Sequence, residues 1–163
     1  MASTPEASAW RIDRRKWQKT SFSGAGAQLE GGRWNSAGVP VVYASRNLSM
    51  AALEKLVHLP TPPPAKLLLV AFAIRFGDVP VEVFPVKHLP KGWNRKPPFA
   101  ASQGIGDRWF AEKRSAILQL PSVIIPSEAN FLINPAHPDF KRIMIAPPRG
   151  FAFDPRLPNF REQ

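Results

Sequence analysis

A chain of 163 residues with 44% hydrophobic content is long enough for one domain around a single core and too apolar for general disorder. It contains no cysteine, which excludes a disulfide scaffold, a thiolate metal site and a cysteine nucleophile. The formal net charge of +10 favours anionic partners: nucleic acid, a phosphorylated small molecule or an acidic protein.

The first residues, MASTPEASAW, carry no apolar core of a signal peptide, and the longest apolar run, Leu67–Ile74, is too short to span a bilayer. A soluble cytoplasmic protein is expected, with residues 1–8 as a mobile tail and 9–163 as the domain. Proline occurs 19 times and is spread along the chain, which favours short elements over long helices. Ala9–Asp13 reads as a short strand. Lys19–Gly32, with Ser21, Ser23, Gly24, Gly26, Gly31 and Gly32, reads as a loop able to bring backbone N–H groups close to a phosphate. It is not a P-loop, because no Gly-Lys-Ser/Thr closes it. Val39–Ala44 is β-branched and predicts a strand. Asn47 or Ser49 can cap a helix to about Leu59, with Leu53, Leu56 and Val57 as its buried stripe. Glu54 and His58, one turn apart, share a face beside that stripe.

Lys66–Phe76 alternates bulky apolar residues and predicts a strand, with a weaker one at Val79–Phe84. His88–Phe99 reads as an ordered loop or a lid. Asp107 is a suitable N-cap for a helix through about Leu118, with Trp109, Phe110, Ala116 and Ile117 facing inward. Leu118–Ile125 predicts a strand that Pro121 confines to an edge or a bulge. Ser127–Pro138 reads as loop, Lys141–Ala146 as a strand and Phe151–Leu157 as a last extended piece. Strands and helices mix without regular βαβ alternation, so the expected class is α+β with a mixed or antiparallel sheet and flanking helices.

The three histidines, His58, His88 and His137, lie in separate segments without ligand spacing, so no metal is expected. No Gly-x-Ser-x-Gly elbow is present. Basic residues are dispersed apart from Arg14–Lys16, and no RNP-type, zinc-finger or helix-turn-helix pattern accompanies them. Glu54 is the only acid between Glu30 and Asp78. A lone carboxylate beside an apolar stripe, near a Gly-rich loop with an Arg, suits stabilisation of positive charge on a sugar carbon. Arg33 can clamp phosphate with its planar fork, and Tyr43 and Trp34 can stack on a cationic ring. The residues alone equally allow a solvated Glu54–His58 pair, a surface ion pair at Arg33 and a core Tyr43. Ser122 sits in an apolar run and needs a partner if buried. Asn130 and Asn134 suit bracing roles in a loop.

Gly32-Arg33-Trp34-Asn35, Val41-Val42-Tyr43-Ala44-Ser45, Ala52–His58, Pro121-Ser122, Asn130–Pro135 and His137-Pro138, in that order, resemble the RES domain family over roughly Trp10 to Leu157. The family is named for an Arg, a Glu and a Ser, which match Arg33, Glu54 and Ser122. The resemblance implies a fold similar to ADP-ribosyltransferase toxins and the role of toxin beside an Xre-like, dimeric antitoxin that occludes the active site. It also implies NAD as substrate, with no recycled cofactor. Catalysis would fall to Glu54, Arg33, Tyr43 and Ser122; Trp34, Asn35, Ser45 and Asn134 would join Arg33, Tyr43 and Ser122 in binding NAD. The acceptor stays open: water or phosphate, making the enzyme a glycohydrolase or phosphorylase, or a protein side chain, making it a transferase. No membrane is implied, and no nucleic-acid contact except through the antitoxin. The competing class is a non-enzymatic basic module that binds nucleic acid.

Overall fold

The computed structural model describes residues 8–157. Residues 1–7 of the expected tail lie outside them, as do 158–163. Ser8 is tied down: its N–H donates to Ile74 O at 2.8 Å, and its Oγ accepts from Phe76 N at 3.1 Å.

Eight strands form one sheet: β1 (Ala9–Arg14), β2 (Val42–Ser45), β3 (Leu69–Arg75), β4 (Val81–Val83), β5 (Ile117–Pro121), β6 (Ala129–Ile133), β7 (Met144–Ile145) and β8 (Arg149–Phe151). The order is β4-β5-β6-β2-β1-β3-β7, with β8 also pairing β3. All pairs are antiparallel except β4 with β5. That pair is parallel because the chain between its strands crosses over through a helix, α3 (Ala100–Glu112). The class is α+β, a mixed sheet flanked by α3 and two further helices, α1 (Ala25–Glu30) and α2 (Leu48–Val57).

Several sequence expectations are corrected. The Lys19–Gly32 loop contains α1, bounded by Gly24 and Gly31 at φ of +77° and +71°. The segment expected as loop at Ser127–Pro138 contains β6, which is paired on both sides by β2 and β5. Ladder pairing on both edges outweighs the turn propensity of its Asn. Hence β5 is an inner strand, and Pro121 marks its end instead of an edge. Asp107 is not an N-cap: α3 starts at Ala100 and stops at Lys113, whose φ is +50°. Ala116 and Ile117 lead into β5 instead of continuing the helix.

Asn47 does cap α2, its Oδ1 accepting from Met50 N at 2.8 Å. The buried side of α2, however, is Met50 and Ala51. Leu53 and Leu56 are only half-buried and Val57 is exposed. Because α2 packs on β1 and β2, the residue one turn beyond Met50 and Ala51 lies at the inner edge of the helix. That residue is Glu54.

Strand register assigns the faces. Tyr43 and Ser45 of β2 share one face with Leu132 and Asn130 of β6, with Leu118 and Leu120 of β5, and with Trp10 and Ile12 of β1. Two apolar clusters cover that face. One joins Trp34, Trp109, Leu118, Leu120 and Leu132; the other joins Ile12, Ala51, Leu69 and Ala71, with Trp10 packed against it. The strip of sheet between them carries Tyr43, Ser45 and Asn130. The opposite face carries a third cluster built on Ile74, Ile117, Phe131 and Ile133. Arg11, one of the dispersed basic residues, braces that side, donating to Tyr43 O at 3.0 Å, Ser21 Oγ at 2.9 Å and Asp13 Oδ2 at 2.9 Å.

Candidate active site

The turn before β2 is built to present one side chain. Gly31 takes a left-handed φ, and Gly32 N donates to Asn35 O at 2.8 Å. Asn35 is fully buried, and its amide donates to Ala27 O, Ser36 O and Val39 O. Its Oδ1 accepts from Tyr43 Oη at 2.7 Å, while that same Oη accepts from Trp34 N at 3.1 Å. The Asp107 carboxylate, reaching from α3, holds Ser36 N at 2.8 Å and Ser36 Oγ at 2.6 Å. Gln103 donates to Gly32 O at 3.1 Å. Arg33 is therefore the half-buried tip of a turn whose other groups are pinned.

The Arg33 guanidinium meets the segment expected as a lid. Its Nη1 donates to Trp93 O at 3.0 Å and to Arg95 O. Trp34 stacks on Trp93 with ring centroids 5.6 Å apart. Burial pulls the Arg33 pKa down from its usual value, opposed by Tyr43 and by the Glu54 carboxylate. Burial pushes the Tyr43 phenol well above its ordinary value. Tyr43 is thus held as a neutral hydroxyl that donates to Asn35.

The second half gathers on Glu54. Ser122 Oγ donates to Glu54 Oε1 at 2.9 Å, and Asn130 Nδ2 donates to the same oxygen at 2.5 Å. Ser122 Oγ also accepts from Ile124 N at 3.1 Å and Ile125 N at 3.2 Å. A hydroxyl has one hydrogen and two lone pairs, so Ser122 is saturated. Ser45, buried, is paired in register between Trp10 and Asn130, on the floor between the two halves.

Arg33 therefore feels both Tyr43 and Glu54 electrostatically, and Ser122 bonds Glu54 directly. Trp34, expected to stack on the substrate ring, lies under the ring of Trp93, and Asn35, expected beside NAD, is bonded within the turn. Trp34 is 2% exposed and Asn35 0%, so both support the turn from within. Asn134 does not join Glu54. It follows the far end of β6, about 13 Å along the strand from Asn130. It is fully buried, and its Oδ1 accepts from Ala136 N at 2.9 Å. His58 is not bonded to Glu54, whose hydrogen-bond partners are Ser122 and Asn130. Asn130, Asp107 and Trp93 have roles that sequence patterns did not reveal. The signal for Asn130 was a polar side chain within an apolar strand, which needs a buried partner.

A cavity of about 360 Å³ is lined by Arg46, Phe84, Gln119, Pro121, Ser127 and Ala129 among others; Gln119, Pro121 and Ala129 belong by register to the sheet face opposite Asn130 and Ser45, and neither Tyr43 nor Glu54 lines it. Among the described residues no three His, Cys, Asp or Glu side chains gather to hold a metal, and no helix is long and apolar enough to cross a membrane.

The chain is 41% identical over 158 residues to a Prs ADP-ribosylating toxin of Sphingobium sp. (strain YBL2), covering 92% of this chain and 96% of that one. It is 36% identical over 152 residues to a Toxin Res of Photorhabdus laumondii, covering 91% and 95%. Its fold matches a chain in the crystal structure of the M. tuberculosis MbcT–MbcA toxin–antitoxin complex, with a TM-score of 0.71. That match is at 13% identity and covers 90% of this chain and 84% of that one. The RES domain model matches residues 8–154, and with relatives of this similarity along nearly its whole length the chain belongs to the RES domain family.

Proposed function

We propose that this protein is the toxin of a toxin–antitoxin pair and consumes NAD by breaking its nicotinamide–ribose bond. The observation that carries the proposal is the convergence of a half-buried guanidinium, a neutral phenol and a carboxylate from a turn, a strand and a helix. The toxin names of the relatives support it. When the C1′–N bond breaks, its electron pair moves to the ring nitrogen and neutralises the pyridinium. Nicotinamide leaves without a proton, so one carboxylate suffices where glycosidases ordinarily use two. Glu54 stabilises the cation developing at C1′ and holds the ribose 2′-hydroxyl. The acceptor adds to C1′ and releases its proton.

Arg33 clamps the pyrophosphate, exchanging the carbonyls of Trp93 and Arg95 for phosphate oxygens. The half-buried ring of Tyr43 packs against nicotinamide, while its hydroxyl keeps the turn in place. Ser122, with no bonding capacity left, holds Glu54 and not the ribose. Ser45 lies beside the ribose.

The test is product identification after incubation with NAD in phosphate-free and phosphate buffers. Nicotinamide should appear in both, and Glu54→Gln should lower its release by about 10²–10³ while the fold persists. Full release by Glu54→Gln would refute the assignment. A second reading, transfer of ADP-ribose to a protein, is favoured by the name of the relative at 41% identity; ADP-ribose on an added protein would establish it. The partner we propose is an Xre-like antitoxin dimer that occludes the cleft with an acidic segment, matching the +10 charge. The purified complex should be inactive, and mutating that segment should restore turnover. Salt-sensitive DNA binding with NAD unchanged would favour the basic-module alternative.

A further inference from the structure

We infer that Asn130 is a positioning residue that decides which oxygen of Glu54 works on the substrate. This rests on the proposed role of Glu54. Two donors converge on Oε1: Ser122 Oγ from beyond the end of β5 and Asn130 Nδ2 from β6. Glu54 Oε2 has no hydrogen-bond partner among the described residues. A carboxylate held at one oxygen from two neighbouring segments cannot turn about its last bond without breaking both contacts. Oε1 is therefore the anchored oxygen, and Oε2 keeps the lone pairs that a ribose hydroxyl would meet.

The Asn130 side chain serves this contact and not packing. Its own Oδ1 is buried without a partner among the described residues. An unpaired buried carbonyl is a standing cost to the fold. Two residues on, the same face of β6 holds Leu132, fully buried in the apolar cluster. An apolar side chain thus suits this strand face, and the strand pairing at position 130, to Ser45 and Leu120, uses only backbone. What the amide adds is one N–H aimed at Glu54.

Ser122 and Asn130 are not equivalent supports. Ser122 is itself fixed by the N–H groups of Ile124 and Ile125, so it sets where Oε1 sits. Asn130 approaches from the sheet floor beside Ser45, so it sets how the carboxylate plane is turned above the strip that bears Tyr43. A substituent that removes the N–H leaves Glu54 charged and tethered once, free to rotate.

The test uses the whole chain and NAD. Asn130→Ala and Asn130→Ser, the latter polar but too short to reach Glu54, should each lower kcat by about 10- to 100-fold, the effect of small misplacement. KM should change less than about twofold, because the phosphate clamp is untouched. Asn130→Asp should be worse, since it sets a second carboxylate against Glu54. The deciding measurement is the double variant with Glu54→Gln. A positioning residue acts through the carboxylate, so Asn130→Ala should cost nothing more in that background. A residue that merely supports the fold would lower turnover by the same factor in both backgrounds, and would overturn the inference. Comparing thermal midpoints separates unfolding from misplacement, and the serine variant serves if alanine does not fold. If wild-type turnover is lost in Glu54→Gln but intact in both Asn130 variants, the inference fails alone. If the wild type does not turn over NAD, the functional proposal fails and this one with it.

Discussion

Tyr43→Phe removes one oxygen and should loosen the turn that displays Arg33. That oxygen donates to Asn35 Oδ1 at 2.7 Å and accepts from Trp34 N at 3.1 Å. Asn35 is 0% exposed and Trp34 2%, so water cannot replace the lost bonds without opening the turn. Each stranded buried group costs about 1–3 kcal/mol, so the pair costs about 2–6 kcal/mol, and about 3 kcal/mol remains where the turn relaxes in part. That is a large share of the ~5–15 kcal/mol that holds a typical domain together. For a chain of this length it corresponds to a melting midpoint lower by about 6–12 °C. Urea and thermal unfolding, followed by tryptophan fluorescence, measure it directly. KM for NAD should rise in parallel, because the turn no longer fixes the guanidinium. A variant within about 0.5 kcal/mol of wild type, with unchanged KM, would refute the assignment of Tyr43 as the pin of this turn.

Three further outcomes are expected. Tyr43 is the only tyrosine, so phenolate absorbance reports it alone; it should be absent in the folded protein well above pH 10, where unfolded tyrosine ionises at about 10. Its folded pKa is raised by burial, so its contribution to stability is complete below about pH 10 and is lost as pH rises towards the folded value; ordinary titration in the native state would contradict the burial. Arg33→Lys keeps the charge but loses the fork that meets Trp93 O and Arg95 O. NAD affinity should fall and limited proteolysis near Trp93 should quicken, whereas unchanged values of both would exclude the clamp. Gly106→Ala would set a Cβ against the carbonyl oxygen of Trp34 and at 2.9 Å from Leu132 Cδ1. Calorimetry should show a loss of about 3 kcal/mol or more from this overpacking, and a neutral result would mean that α3 can move off the turn.

Sequence pattern alone located the elements whose cause is local. The apolar run of β3 and the β-branched residues of β2 read as strands because side-chain alternation and bulk are written along the chain. Asn47 read as a cap because a short polar side chain bonds its own helix. The resemblance singled out Arg33, Tyr43, Glu54 and Ser122 as the candidate catalytic set. Only tertiary structure decided what each one touches. Glu54 could have faced His58 one turn away; instead it accepts from residues 68 and 76 positions distant. Asp107 had the chemistry of a cap, yet its carboxylate holds Ser36, 71 positions away. Trp34 and Asn35 had the chemistry of ligands, yet both are buried in the turn, Trp34 beneath Trp93. Asn130 read as a loop brace because Asn favours turns, and it became an inner strand residue once β2 and β5 closed on both of its edges. In each case the residue's hydrogen-bonding capacity was legible from its type, while the partner that satisfies it was set by which distant segments the sheet brought together.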